Sequence, residues 1–150
     1  MSTADPSLNE SVRTLLLLMP RLVGRAKRAK VPEELQSLSL APRHLSLLAY
    51  LLFDGSMTVN ELAARLEVAP ATVSLMVGDL SRKGVLDRRE DDADRRRTIV
   101  SIADLHQRAI HEWLGYGVNA WRQALEPLTP EERQVVVRTL LAYDAALTER

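Results

Sequence analysis

TVNELAARLEVAPATVSLMVGDLSRKGVLDRREDDADRRRTIVSI, residues 58–102, is the stretch on which the reading of this chain turns. It opens on Thr58-Val59-Asn60-Glu61. There the threonine oxygen can accept from the backbone N–H three residues on while Glu61 reaches back, which predicts a helix start at Val59. Pro70 cannot continue that helix but suits the first position of a new one, where its missing N–H would have had no partner. Val73, Met76, Val77 and Leu80 then recur on one helical face, and Gly84 after Arg82-Lys83 supplies a left-handed stop.

The opposite face of this second helix carries Ala71, Ser74, Leu75, Gly78 and Arg82, most of them small. A glycine inside a helix costs roughly 1 kcal/mol relative to alanine, so Gly78 suggests close approach by something large, and a nucleic-acid duplex is such a body. The plain alternative is a helical pair inside an all-α core. The residues C-terminal to the helices bear on that choice. The segment 98–102, TIVSI, is rich in β-branched residues and alternates, so it reads as a strand returning from VLDRRE through the polar tip DDADR. Arg95, Arg96 and Arg97 crowd the tip, and Arg88 and Arg89 lie on the incoming strand. Guanidinium groups suit phosphate contacts and the concentrated potential of a narrow groove. Asp91, Asp92 and Asp94 among them are expected to hold those side chains in place. The competing reading is a solvated hairpin of mutually neutralising charges.

The pieces NELAARLEVAPATVSLMVGDLSRKGVL and DRREDDADRRRTIVSI resemble the winged helix-turn-helix of the MarR family of bacterial transcriptional regulators, the wing through its Asp-x-Arg tip at Asp94 and Arg96. The resemblance implies a mainly α fold with a small β-hairpin wing. Residues 42–102 would form the DNA-binding lobe, and 1–30 and 104–150 the dimerisation helices of a single domain. It further implies sequence-specific binding of double-stranded DNA by a homodimer, typically as a repressor, with release by a small aromatic or anionic effector. On this reading Pro70, Ala71, Thr72, Ser74, Leu75, Gly78 and Arg82 face DNA from the recognition helix, and Arg88, Asp94, Arg95, Arg96 and Arg97 belong to the wing. Two recognition helices related by a two-fold axis enter major grooves about 34 Å apart, so the operator is expected to be a pseudo-palindrome. Many family members carry Arg where Leu75 stands, and its absence favours an apolar contact to a thymine methyl over guanine reading. Ala69 stands where a Ser cap is frequent, leaving the N-terminal N–H groups of that helix to a phosphate.

Outside this stretch, 150 residues suit one domain, and 20 basic against 20 acidic residues mean that any DNA affinity must come from local patches. There is no cysteine, which excludes disulfides, thiolate catalysis and thiol-based redox sensing. Leu15–Met19 is too short to span a membrane and is closed by Pro20 and Arg21, so a cytoplasmic protein is expected.

Ser7-Leu8-Asn9-Glu10 offers a capping box for a first helix running toward Lys30 with a kink at Pro20. A second helix is expected from about Pro42 to Phe53, with Tyr50 turned away from its core face. Met57-Thr58 is then expected to add a very short strand, as in the family. Asp104 is expected to cap a long helix through Leu125, and Thr129-Pro130-Glu131-Glu132 opens a last helix to about Thr148. The terminal helices hold more apolar surface than one small lobe can cover, which calls for dimerisation.

Arg43, His44, Trp113 and Tyr116 are the candidates for an effector site, against the plainer reading of Trp113 and His44 as core residues. His44, His106 and His111 lack metal-ligand spacing, and neither a glycine-rich phosphate loop nor a Gly-x-Ser-x-Gly elbow occurs, so no metal, cofactor or enzymatic activity is expected. The remaining alternative is a winged-helix module serving protein–protein contact alone.

Overall fold

The computed structural model describes residues 5–28 and 30–149. In chain order the elements are α1 (Pro6–Lys27), α2 (Glu33–Gln36), α3 (Pro42–Asp54), β1 (Met57–Thr58), α4 (Val59–Leu66), α5 (Pro70–Arg82), β2 (Leu86–Glu90), β3 (Thr98–Ile102), α6 (Asp104–Leu125) and α7 (Pro130–Thr148). The chain divides after Leu114 into two compact units.

Within the first unit, β1, β3 and β2 form a small antiparallel sheet in that order. Met57 pairs with Val100 on one side of β3, and Leu86 with Ile102 on the other. The inward side chains of this sheet, Met57, Leu86, Val100 and Ile102, join Leu47, Leu48 and Leu51 of α3, Leu62 of α4, and Val73, Val77 and Leu80 of α5 in one core that also takes in Leu35, Ile110 and Trp113. Burying a side chain of this size is worth roughly 1.5–3 kcal/mol, so this cluster is what sets the two central helices against the sheet.

Local chemistry explains the helix ends. Thr58 Oγ1 accepts from the Glu61 N–H at 3.2 Å and Glu61 Oε2 accepts from the Thr58 N–H at 3.4 Å, the reciprocal cap expected at Val59. α4 stops where Glu67 enters the left-handed region at φ 55° and the Val68 N–H donates back to the Ala63 carbonyl at 3.1 Å. α5 ends in the same manner: Gly84 at φ 76° lets the Val85 N–H donate to the Leu80 carbonyl at 2.9 Å. An Arg65–Asp54 ion pair ties α4 to the end of α3.

Several expectations are corrected. Asp5, not Ser7, caps α1: its carboxylate accepts from the Ser7 N–H at 2.9 Å, and Pro6 takes the first helical position that favours proline. The helix includes Pro20, as expected, and ends at Lys27. Asp104 is the first residue of α6 rather than its cap, and the preceding Ala103 is fixed by its N–H to the Val85 carbonyl at 2.9 Å. Tyr50 is half-buried against the core instead of turned from it. The short α2, which burial of Leu35 pins down, has no counterpart among the expected helices.

No residue of α1 is buried, although it carries Leu8, Val12, Leu15, Leu16, Leu17, Leu22 and Val23. In the second unit α7 likewise buries none of Val135, Val137, Leu140, Leu141 and Leu147. Among the described residues no helix is long and apolar enough to cross a membrane.

Candidate nucleic-acid interface

The site is assembled from one helix face and one hairpin. Val73, Val77 and Leu80 anchor α5 in the core, and the 100° step between residues turns Ala71, Thr72, Ser74, Leu75 and Arg82 to solvent, with Pro70 exposed at the helix start. Leu75 is 75% exposed. Gly78 is half-buried, and a Cβ built there would meet only Arg82 Nη1, at 3.5 Å. Nothing in the fold therefore demands glycine at this position. No side chain caps the N-terminus of α5, because Ala69 stands at the cap. The first turn accordingly keeps the partial positive charge of a helix N-terminus undiluted.

The wing tip is built around Asp94. Its Oδ1 accepts from the Arg96 backbone N–H at 3.1 Å and from Arg96 Nε at 3.2 Å, its Oδ2 from Arg96 Nη2 at 3.3 Å, and Arg97 Nε lies 3.6 Å from Oδ2. The Arg97 N–H closes the turn on the Asp94 carbonyl at 2.9 Å, and the Asp91 N–H donates to the Arg97 carbonyl at 3.1 Å. The Arg96 side chain and then its backbone N–H hold the Asp94 carboxyl below the usual carboxylate range. Asp91 contributes by accepting from the Ala93 N–H at 3.0 Å. Asp94 and Asp91 thus order the turn, Asp94 lies against both Arg96 and Arg97, and all three arginines of the tip are exposed. Arg88 lies opposite Val100 in the sheet register and is exposed, as is Arg89 opposite Ile99.

The effector candidates fall in different surroundings. His44 and Trp113 are buried in the first unit, Arg43 belongs to the same unit, and Tyr116 is exposed in the second unit. His44 Nδ1 accepts from the Ala41 N–H at 3.0 Å, so the proton of the neutral ring sits on Nε2. Burial, and then the neighbouring Arg43, push the His44 pKa down. Among the described residues no group of three His, Cys, Asp or Glu is placed to hold a metal ion.

Asp79, the sole acid on α5, is a residue that the sequence reading does not single out. Its Oδ2 lies 3.4 Å from Lys83 Nζ and 3.9 Å from His44 Nε2, and its Oδ1 lies 4.0 Å from Arg82 Nη2. An isolated carboxylate within a helix expected to meet phosphates is the signal that could have found it.

Comparison with known proteins places these features. A family model described as the MarR family matches residues 38–97. The HTH-type transcriptional repressor MdtR of Bacillus subtilis (strain 168) is 29% identical over 132 residues, covering 88% of this chain and 82% of its own length. An HTH-type transcriptional regulator of Mycobacterium leprae (strain TN) is 33% identical over 107 residues, covering 67% of this chain and 71% of its own. Among solved structures, the Staphylococcus aureus MepR–DNA complex superposes with a TM-score of 0.62 at 20% identity, over 87% of this chain and 96% of that one, a likeness of fold.

Proposed function

The chain belongs to the MarR family of DNA-binding transcriptional regulators, not to an enzyme family, and from that premise we infer that it is a homodimeric repressor. It reads a pseudo-palindromic duplex and is released by a small aromatic or anionic ligand. The observation that carries the reading is the outward face of α5, with Ala71, Thr72, Ser74 and Leu75 exposed, on a fold whose wing presents Arg95, Arg96 and Arg97 around an ordered Asp94 turn. Small side chains let a helix settle deep in a major groove. There Leu75 meets a thymine methyl, and Ser74 and Thr72 meet base edges or phosphates. The wing arginines enter the flanking minor groove. Arg88 adds a phosphate contact, Arg82 faces the duplex from the last turn of α5, and a phosphate occupies the uncapped start of α5 at Pro70 and Ala71.

Dimerisation is supported by the uncovered apolar faces of α1 and α7, where Leu17 and Leu141 are each 62% exposed. Exposed apolar surface on this scale marks an interaction site. Residues 1–30 and 104–150 would then form the dimer arms and 42–102 the reading lobe. Repression is supported by MdtR, whose name describes a repressor. Of the candidates, Arg43, His44 and Trp113 share the first unit and are the residues proposed to respond to the ligand; Tyr116 belongs to the second unit. A thermal-shift screen with aromatic carboxylates, followed by release of bound DNA, tests that assignment.

The exposure of Leu75 also favours a second reading, a winged-helix surface for protein contact without DNA. Gel-shift titration against the DNA upstream of the protein's own gene separates the two. Retarded complexes at low salt that weaken when Arg95, Arg96 and Arg97 become Ala support the regulator. Absence of any complex supports the protein-contact reading.

A further inference from the structure

Asp79 poses an electrostatic question. It is the sole acid on α5, and a carboxylate on the element that faces a polyanion weakens binding unless it does something else there. Its surroundings answer the question. Asp79 is 37% exposed and stands between an inward and an outward group. Inward lies His44 Nε2, a buried atom with no hydrogen-bond partner among the described residues, whose proton is fixed there because Nδ1 accepts from the Ala41 N–H. Outward lies Arg82, with Nη2 at 4.0 Å from Asp79 Oδ1 and Nη1 3.5 Å from the place a Cβ on Gly78 would occupy. The guanidinium thus lies beside Gly78, one turn back along the helix. Lys83, 3.4 Å from Oδ2, balances the remaining charge.

We propose that Asp79 is a positioning residue for base recognition: set beside His44 of α3 and Lys83, it holds the Arg82 guanidinium over Gly78, so that Arg82 reads a base edge beside Leu75 instead of serving as one more mobile phosphate contact. The inference rests on the DNA-reading function proposed above and assigns to Arg82 the guanine-reading role left vacant by leucine at position 75. Gly78 fits the same arrangement, since the guanidinium lies against the position a Cβ would take and a side chain larger than alanine would crowd it.

The test uses the full-length protein and a duplex selected by the wild type from a random pool, compared with a scrambled duplex of equal length. Asp79→Asn keeps the shape of the side chain beside His44 and removes the charge that faces Arg82, so it disturbs the packing against α3 less than Asp79→Ala would. Its ratio of selected to scrambled affinity is expected to fall about tenfold, equivalent to 1.4 kcal/mol. Its affinity for the scrambled duplex is expected to rise, because a negative charge has left the interface. In an Arg82→Ala background the same change should leave the ratio where Arg82→Ala alone puts it. A purely structural Asp79 would instead lower both affinities in both backgrounds. An unchanged ratio in Asp79→Asn, an equal fall with and without Arg82, or a folded Asp79→Asn protein that binds no duplex overturns the proposal. A wild type that enriches no sequence overturns the DNA-reading function, and this inference with it.

Discussion

Gly78 and His44 show how far a single side chain can be read. Gly78 does not adopt the left-handed backbone that reserves a position for glycine, and a methyl group there meets only the movable end of Arg82. Gly78→Ala is therefore expected to stabilise the folded protein by up to about 1 kcal/mol in urea unfolding, while weakening the complex with the selected duplex in gel shift. Stabilisation without loss of binding would mean that nothing approaches α5 closely. His44 is 1% exposed, and burial lowers its pKa, so the folded state resists the proton that the unfolded chain accepts at about pH 6.5. Its contribution to stability is complete above that pH and is lost as the pH drops below it toward the depressed folded value. Protonation would also set an N–H on Nδ1 against the Ala41 N–H. Melting temperatures at pH 7.5 and 5.5 should differ more for the wild type than for His44→Gln. Equal differences would show that His44 does not titrate with unfolding.

At the scale of elements, the proposed function assigns affinity to the wing and specificity to α5. Each wing arginine that touches a phosphate should lower the slope of log affinity against log salt by about 0.9 when replaced by alanine. Asp94→Ala should weaken all duplexes through disorder of the turn that Arg96 and Arg97 share. Gel-shift titrations over a salt series check both, and an unchanged slope in all three arginine variants would remove the wing from the interface. These elements were legible in the sequence because their signals are local. The Thr58–Glu61 box, Pro70 at a helix start and Gly84 past a helix end each act within a few residues. Where two local signals compete, the sequence misleads: Ser7 resembles a cap, yet Asp5 followed by Pro6 satisfies both the N–H and the proline preference. The single turn of α2 has no period to detect and is held by burial of Leu35. The approach of His44 on α3 to Asp79 on α5, at 3.9 Å, joins residues far apart in the chain, which the sequence by itself does not bring together.

For the whole molecule, the core of the first unit is complete, whereas α1 and α7 present leucines and valines with no cover among the described residues. Leu141→Glu on α7 is expected to convert a dimer to a monomer in sedimentation velocity and to weaken operator binding sharply, since two half-sites are then no longer engaged together. A wild type that sediments as a monomer at every concentration would contradict the assembly. The central claim, that the α5 face chooses the sequence and the wing arginines supply the grip, is tested most directly by the affinity of Leu75→Ala and of the Arg95, Arg96, Arg97→Ala triple variant for a panel of selected, singly substituted and scrambled duplexes. The predicted result is a changed order of preference for Leu75→Ala and an even weakening of all duplexes for the triple variant. An even weakening by Leu75→Ala, with the order of preference intact, would contradict it.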